Sequence, residues 1–227
     1  MMRVARGTVI FDLDGTLVDS APDLAFALDA VLVARGAEPL GLEVGRSFIG
    51  HGIPRLVQQG LAARGLLAQP LDLVQATEQF LQIYAQNLTR QTRPYPGARM
   101  ALERLREQGW RLAVCTNKQE TASRAILRAL DLAEYFEQVV GPDTFGVSKP
   151  DPRPLRGCIP SGDFALLVGD SSVDIEAARA AGIPVILVDW GYGDTSANAP
   201  FADAVVASFD SIPRAVADLQ VRHENSL

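Results

Sequence analysis

Short runs of apolar residues alternate along this chain with longer segments in which apolar residues recur every three or four positions. The short runs predict buried strands, and the longer segments predict amphipathic helices. Alternation of this kind is typical of an α/β protein with a doubly wound, mostly parallel, Rossmann-like sheet. The predicted strands cover residues 8–11, 111–115, 138–140, 164–168 and 184–188, and the helices predicted between and after them cover residues 98–108, 121–130, 174–181 and 212–219.

A long helical stretch separates the first predicted strand from the second. Its predicted helices cover residues 20–36, 53–64 and about 71–88, with no strand among them. The stretch is longer than a single crossover between parallel strands requires. We therefore expect residues 20–92 to form an all-helical domain, inserted into an α/β core domain made of residues 1–19 and 93–227.

The composition narrows the class of protein. The chain has 227 residues, 48% of them hydrophobic, which is enough to bury a sizeable core. A net charge of −6 argues against nucleic acid or an anionic membrane as a partner. The two isolated cysteines, Cys115 and Cys158, suit a reducing compartment. With no apolar run of transmembrane length and no expected signal peptide, we expect a soluble, cytoplasmic monomer or homodimer.

Two carboxylates follow directly on the first predicted strand. Asp12 and Asp14 come after its last apolar residue, and Gly15 follows them. Side chains two positions apart on an extended backbone point the same way, so the two carboxylates can converge on one small ligand. Gly15 allows a sharp turn next to them. Because unpaired acids are costly to bury, either a cation compensates these two or the strand ends in solvent.

The run from Asp12 to Val18, with the sequence DLDGTLV, resembles the signature of the haloacid dehalogenase-like superfamily of phosphohydrolases. The resemblance implies that Asp12 is a nucleophile that forms an aspartyl-phosphate. It also implies that Asp14 is the general acid and base, and the presence of this second carboxylate argues against a dehalogenase. An ordinary β-turn with two capping acids is the alternative interpretation.

Polar residues after the second predicted strand, and a lysine further on, match later motifs of the same superfamily. The resemblance implies that Thr116 and Asn117 hydrogen-bond the transferring phosphoryl group, although Thr116 could simply cap the following helix. Lys149, in a Ser-Lys-Pro-Asp run, would balance the charge of Asp12 and of the phosphoryl oxygens. A solvated surface lysine is the alternative.

Asp170 and Asp174 follow the fourth predicted strand and match the fourth motif of the superfamily. The resemblance implies that Mg²⁺ is held by Asp12, Asp170 and the backbone carbonyl of Asp14. Asp174 would act through water or orient Lys149. The alternative is that Asp170 and Asp174 bind no metal and are simply favoured by the positive end of the helix that follows. In this superfamily the first strand lies between the second and the fourth, which would bring these groups together where the strand order reverses.

The inserted helical domain would be the cap of this superfamily, which closes over the site and reads the leaving group. Its residues 46–54 resemble a cap loop of phosphoglycolate phosphatases. A glycine-flanked loop that opens a helix presents backbone N–H groups to an anion, so we expect recognition of a substrate carboxylate there. A plain connecting loop with solvated arginines is the alternative. The candidate substrate-binding residues are Thr16, Arg46, Gly50, His51, Gly52 and Arg55.

Together the motifs imply a magnesium-dependent phosphomonoester hydrolase that acts on a small-molecule phosphate ester, with 2-phosphoglycolate as the first candidate. A sugar phosphate or nucleotide phosphatase, or a β-phosphoglucomutase-like phosphotransferase, remains an alternative with the same motifs. A catalytically silent phosphate-binding module is the alternative from a different class. The segment between Lys149 and Asp170 is shorter than usual for the superfamily and leaves little room for its customary helix.

Overall fold

A computed structural model describes residues 6–66, 70–160 and 163–226. Residues 1–5, 67–69, 161–162 and 227, which fall inside the predicted domains, lie outside the described residues. The strands are β1 (Thr8–Phe11), β2 (Val18–Asp19), β3 (Arg93–Pro94), β4 (Arg111–Cys115), β5 (Gln138–Val140), β6 (Ala165–Gly169), β7 (Val185–Val188) and β8 (Ala204–Val206). The helices are α1 (Ala21–Val33), α2 (Leu42–Arg46), α3 (Ile53–Ala63), α4 (Pro70–Ala85), α5 (Ala98–Glu107), α6 (Glu120–Ala129), α7 (Pro142–Phe145), α8 (Arg153–Gly157), α9 (Ser172–Ala181), α10 (Thr195–Asn198) and α11 (Ile212–Glu224). Among the described residues, no helix combines the length and the apolar character needed to span a bilayer.

Strand β1 lies near the centre of a six-stranded sheet. The strand order is β5-β4-β1-β6-β7-β8, and each neighbouring pair is parallel. The register places Phe11 opposite Val114 of β4 and Val168 of β6. All residues of β1 and β6 are buried, as expected for parallel strands covered on both faces. The predicted doubly wound α/β class is confirmed, and so is the position of the first strand between the second and fourth predicted strands.

Two apolar clusters cover the two faces of this sheet. Because side chains alternate along a strand, Val9 and Phe11 point to one face and Ile10 to the other. The first face packs against Leu102 of α5 and other residues of α5, α6 and α11. The second packs against Ile175 of α9 and neighbouring residues of α8 and α9. A helical layer on each side therefore excludes water from β1 up to the acids that follow it.

Helices α1, α3 and α4 share an apolar cluster of their own, in which Leu28 and Phe80 are fully buried. The chain enters this helical segment through β2 and leaves it through β3, which pair antiparallel with Val18 opposite Pro94. The predicted ends of the helical domain, at residues 20–92, lie beside this two-stranded ribbon. The division into two domains stays a prediction.

The structure also contains short elements that the sequence does not predict. Strand β8 adds a sixth strand of three residues, of which only Val206 is buried. Helix α2 lies in a stretch where no helix was predicted. Helix α8, of five residues, occupies the segment in which we expected little room for a helix. Helix α11 continues to Glu224, beyond the predicted end at residue 219.

Asp23 ties the first turn of α1 to the return of the chain towards the core. It is fully buried, and its carboxylate accepts the N–H groups of Gln91 and Thr92 at 2.9 and 2.8 Å. The Thr92 hydroxyl donates to the same carboxylate at 2.8 Å. These hydrogen bonds fix the entry and the exit of the helical segment against each other.

Asp23→Ala is expected to lower the free energy of unfolding by roughly 3 kcal/mol, because two N–H groups and a hydroxyl would lose their acceptor in buried surroundings. Urea unfolding followed by circular dichroism measures the change. Asp218→Ala is the control: its carboxylate is 60% exposed and 3.9 Å from Arg214, so we expect a change within about 0.5 kcal/mol. Equal effects of the two substitutions would contradict the role assigned to Asp23.

Candidate active site

Asp12 and Asp14 lie at the carboxyl end of β1, beside the ends of β4 and β6. The Asp12 N–H donates to the carbonyl of Val168 at 2.9 Å, which continues the β1–β6 pairing past the end of β1. Gly15 then takes a left-handed φ of +84°, and a Cβ there would lie 2.5 Å from Asp170 Oδ2, so glycine is required at this turn. The strand order reverses beside β1, at the crevice where open α/β sheets bind ligands.

The two carboxylates line one cavity, here called the site cavity, with an empty volume of about 420 Å³ that is partly open to solvent. The core supplies its polar side and the helical segment supplies a mainly apolar wall. The core residues in its lining are Asp12, Asp14, Thr116, Asn117 and Lys118. The residues from the helical segment are Leu24, Ile49, Gly50, Gly52, Ile53 and Leu56.

Lys149 places its ammonium group between two carboxylates. Its Nζ lies 2.6 Å from Asp174 Oδ1 and 3.0 Å from Asp12 Oδ1, and its side chain is 2% exposed. Asp174 also accepts the N–H and the hydroxyl of Ser171 at 3.1 and 2.6 Å, at the start of α9. Burial works against the charged form of Lys149, but the two carboxylates outweigh it and raise the pKa of this lysine. A positive charge is therefore held beside Asp12.

Asp170 lies in a tight cradle of glycines and backbone groups. One of its oxygens accepts the Tyr192 N–H at 2.7 Å, and the other accepts the hydroxyl of the fully buried Thr16 at 3.2 Å. Thr16 thus contacts Asp170 and does not line the site cavity. A Cβ on Gly191 would lie 2.1 Å from the Asp170 Cβ, and one on Gly193 would lie 2.1 Å from the Asp170 carbonyl oxygen. Both glycines are needed for this close approach.

Asp12, Asp170 and Asp174 form an acidic cluster that could hold a metal ion, since each offers an oxygen within 4.8 Å of the other two. Burial, reinforced by neighbouring carboxylates, raises the pKa of Asp170 to about 8. Burial also raises the pKa of Asp12 to about 6, against the opposing charge of Lys149. Asp12 Oδ1 is buried with no aligned hydrogen-bond donor among the described residues, although the Lys149 ammonium lies 3.0 Å away. Excess negative charge and an unpartnered oxygen fit a divalent cation that needs few carboxylates.

Thr116 and Asn117 follow β4 and make different contacts. Thr116 Oγ1 accepts the N–H of Lys118 at 3.2 Å, which leaves its own hydroxyl proton for a ligand. Asn117 Oδ1 accepts the Lys149 N–H at 2.8 Å, and its Nδ2 donates to the carbonyls of Lys149 and Gly50 at 3.1 and 3.3 Å. Asn117 therefore joins the Lys149 loop to the helical segment. Its expected contact with a phosphoryl group stays a prediction.

Lys118 is a second buried cation at this site, and the sequence motifs do not assign it a role. Its Nζ lies 2.7 Å from Asp14 Oδ2 and 4.8 Å from the centre of the Tyr84 ring of α4. The Ser20 hydroxyl donates to the other Asp14 oxygen at 2.5 Å. One signal in the sequence could have found Lys118: it and Lys149 are the only two lysines among 21 lysine and arginine residues.

Tyr192 connects the site to the entry of the helical segment, and the sequence motifs assign it no role either. Its hydroxyl accepts the N–H groups of Ser20 and Ala21 at 2.8 and 3.0 Å and donates to Asp19 at 2.8 Å. Arg46 lies over its ring at 5.7 Å and pairs with Asp19 at 3.5 Å. The ring and the carboxylate thus hold Arg46 at the entry of the helical segment, away from the site cavity where we expected it.

The expected anion-binding loop is divided between two places. Gly50 and Gly52 line the site cavity. His51 and Arg55 are exposed and line a neighbouring groove instead. Neither Arg46 nor Arg55 lines the site cavity, and the expected contact of one of them with a substrate carboxylate stays a prediction. The cation in the cavity lining comes from the core.

Comparison with known proteins assigns this arrangement to a family. The family model described as haloacid dehalogenase-like hydrolase matches residues 9–188, which is more than half of the chain. This chain belongs to the haloacid dehalogenase-like hydrolase family. The matched region spans all four motifs and both lysines, whereas Tyr192 lies just beyond its end.

Relatives within this family resemble the chain over most of its length. A phosphoglycolate phosphatase of Mesorhizobium japonicum is 39% identical over 223 residues, covering 96% of this chain and 98% of that protein. A phosphoglycolate phosphatase of Cereibacter sphaeroides is 43% identical over 186 residues, covering 81% and 85%. The crystal structure of a predicted phosphoglycolate phosphatase from Haemophilus somnus has a TM-score of 0.85 at 30% identity, covering 95% of this chain and 100% of that one. The chain is a phosphoric monoester hydrolase of this family.

Proposed function

We propose that this protein is a magnesium-dependent phosphatase that hydrolyses 2-phosphoglycolate through an aspartyl-phosphate on Asp12. The observation that carries the proposal is the convergence of Asp12, Lys149 and Asp170 at one edge of the parallel sheet, beside a cavity. Relatives named phosphoglycolate phosphatase, 39% and 43% identical to the chain, support the choice of substrate.

Asp12 is the nucleophile in this proposal. A carboxylate oxygen of Asp12 attacks phosphorus as the ester P–O bond breaks. The glycolate alkoxide leaves, and the phosphoryl group remains on Asp12 as an aspartyl-phosphate. Lys149, 3.0 Å from Asp12 Oδ1, offsets the charge of the carboxylate and of the phosphoryl oxygens. Thr116, whose hydroxyl proton is available, donates to one of these oxygens.

Asp14 moves the protons in both steps. Asp14 starts as the carboxylic acid and gives its proton to the leaving alkoxide. The resulting carboxylate then takes a proton from the water that attacks the aspartyl-phosphate. Inorganic phosphate leaves, and both carboxyl groups return to their starting forms. The two acids are two residues apart at the end of β1 and line the same cavity, which allows them to act on opposite sides of one phosphoryl group.

Asp12, Asp170 and the backbone carbonyl of Asp14 would hold Mg²⁺, while Asp174 orients Lys149 through their 2.6 Å contact. When bound, Mg²⁺ offsets the negative charge of the reacting phosphoryl oxygens. These residues fit a divalent cation because Asp12, Asp170 and Asp174 bring three buried carboxylates together. The ammonium group of Lys149 supplies only one positive charge to offset them.

Phosphate release from a panel of esters tests the proposal. The panel holds 2-phosphoglycolate, ethyl phosphate, p-nitrophenyl phosphate, sugar phosphates and nucleoside monophosphates, each with Mg²⁺ and with EDTA. We expect kcat/KM for 2-phosphoglycolate to exceed every other value by at least about 10-fold, and chelation to reduce all rates to background. A higher value for another ester would overturn the substrate, and transfer between hydroxyls of a sugar phosphate would indicate a mutase. Absence of phosphate release from every ester would favour a silent binding module.

The proposal includes a cytoplasmic location and no nucleic acid or membrane partner. The net charge of −6 and the free, buried thiols of Cys115 and Cys158 support it. A monomer or a homodimer is also part of the proposal. Sedimentation equilibrium distinguishes these two states.

A further inference from the structure

Lys118 lies in the wall of the site cavity with little exposure to solvent. Its side chain is 3% exposed and its Nζ contacts Asp14 Oδ2 at 2.7 Å, while the Tyr84 ring covers it at 4.8 Å. Among the described residues that line the cavity, Lys118 carries the only positive charge. A buried ammonium is costly unless anions compensate it, and in this structure Asp14 is the anion that it contacts.

Among the described residues that line this cavity, those from the helical segment include no cation. Arg46 pairs with Asp19 at 3.5 Å, and the exposed Arg55 donates to Gln58 at 3.0 Å. The wall from the helical segment consists of aliphatic side chains and two glycines. A negatively charged leaving group in the cavity therefore finds its compensating side-chain charge at Lys118.

The size of a small anionic leaving group fits the spacing of Asp14 and Lys118. In glycolate a single methylene separates the ester oxygen from the carboxylate. The group that protonates the ester oxygen and the cation that binds the carboxylate must therefore be neighbours. Asp14 and Lys118 are such neighbours, with an oxygen and a nitrogen 2.7 Å apart.

We propose that Lys118 binds the carboxylate of the leaving group and thereby releases Asp14 for proton transfer. This inference rests on the proposed function, because it needs a carboxylate one carbon from the ester oxygen. In this structure Asp14 is held by Lys118 and by the Ser20 hydroxyl at 2.5 Å. The substrate carboxylate competes for the three N–H donors of the ammonium group, and the Asp14 carboxyl group turns towards the leaving oxygen. An ester without a carboxylate leaves Lys118 on Asp14 and reacts slowly.

The use of lysine at this position supports a specific role. Elsewhere the chain uses arginine for its basic side chains, and lysine occurs only at positions 118 and 149. A compact ammonium group fits between the Asp14 carboxylate and the Tyr84 ring, and it can change partners more freely than a planar guanidinium. Both lysines contact a carboxylate that follows β1.

Lys118→Met tests the inference. The two substrates are 2-phosphoglycolate and ethyl phosphate, in which a methyl group replaces the carboxylate. We expect the variant to lose about 100-fold in kcat/KM for 2-phosphoglycolate. For ethyl phosphate we expect kcat/KM to rise by about 3-fold or more, because Asp14 is no longer held by the ammonium group that slows this ester in the wild-type protein. Arg214→Met removes an 89% exposed charge on α11 and should leave both values unchanged.

Binding of unreactive analogues gives a readout that does not depend on turnover. In 3-phosphonopropionate a methylene replaces the ester oxygen, and in propylphosphonate a methyl group also replaces the carboxylate. Isothermal titration calorimetry should show that the wild-type protein binds the first at least about 30-fold more tightly, a preference that Lys118→Met abolishes. Thermal unfolding of the variant establishes that it is folded.

The outcomes separate the inference from the function on which it rests. If the wild-type protein prefers 2-phosphoglycolate and Lys118→Met lowers kcat/KM equally for both esters, the inference is refuted and the proposed function stands. If another ester is the best substrate, the proposed function is refuted, and the phosphonate pair still decides the inference. A wild-type protein that does not distinguish the two phosphonates, or a variant that still does, overturns the role of Lys118.

Discussion

Asp12→Asn is expected to abolish phosphate release, with kcat lowered on the order of 10⁴-fold. The side-chain amide carries no negative charge with which to attack phosphorus, so no phosphoryl bond forms at this position. Acid quenching during turnover followed by mass spectrometry measures the intermediate directly. The wild-type protein should carry a phosphoryl group on Asp12, and the variant should carry none.

The substitution at Asp12 should leave the fold intact. Asparagine has nearly the size of aspartate, and Lys149 keeps its 2.6 Å contact with Asp174. Because burial raises the pKa of Asp12 to about 6, a neutral amide also removes a charge that is unfavourable there. Asp218→Asn, at a carboxylate that is 60% exposed, is the control and should turn over at the wild-type rate. Wild-type turnover by the Asp12 variant, or a phosphoryl group still attached to it, would refute the assignment of the nucleophile.

The central strands could be predicted from the sequence because their pattern is local. The predicted bounds of 8–11 and 111–115 are those of β1 and β4, whose residues are all buried except the partly buried Arg111. Periodicity does not reveal which strands pair, because β1 pairs with β4 and β6, which lie about 100 and 150 residues later in the chain. The strand order was implied by the family resemblance, and the structure confirms it.

Several of the shortest elements could not be predicted, because they depend on partners rather than on a pattern of their own, whereas β5, also of three residues, has the predicted bounds of 138–140. Strand β8 has three residues and pairs with β7 at the edge of the sheet. Helices α7 and α10 have four residues each, which is too short for a helical period to appear twice. The neighbours that stabilise such elements are not visible in a sequence window.

At the site, the sequence identified residues that belong to motifs and missed those that act through distant contacts. Lys118 lies 104 positions from Asp14, and Tyr192 lies 172 positions from Ser20. No local pattern links such pairs. The same limit applies to the contact between Arg46 and the ring of Tyr192.

Asp170→Asn is expected to remove the response to Mg²⁺ together with the activity. Asparagine can still accept the Tyr192 N–H and contact the Thr16 hydroxyl, as Asp170 does at 2.7 and 3.2 Å, but it lacks the charge that binds a cation. We expect kcat to fall roughly 10³-fold, because the transition state loses several kcal/mol of stabilisation by the bound cation. At a Mg²⁺ concentration about 100 times its Kd, the wild-type protein should gain about 2.7 kcal/mol of stability, and the variant almost none. A full gain in the variant would contradict the assignment of Asp170 as a ligand.

In EDTA the same substitution should stabilise the protein, and increasingly so as the pH rises. Burial, with the charges of Asp174 and Asp12, raises the pKa of Asp170 from 3.8 to about 8. Between these two values the folded protein retains a proton that the unfolded chain releases, so the free energy of unfolding of the wild-type protein falls as the pH rises. The advantage of the variant should therefore grow by roughly 3 kcal/mol between pH 5 and pH 8, measured by urea unfolding. An advantage that does not change with pH would show that Asp170 ionises in the folded protein as readily as in the unfolded chain, and would remove the electrostatic reason for a cation beside it.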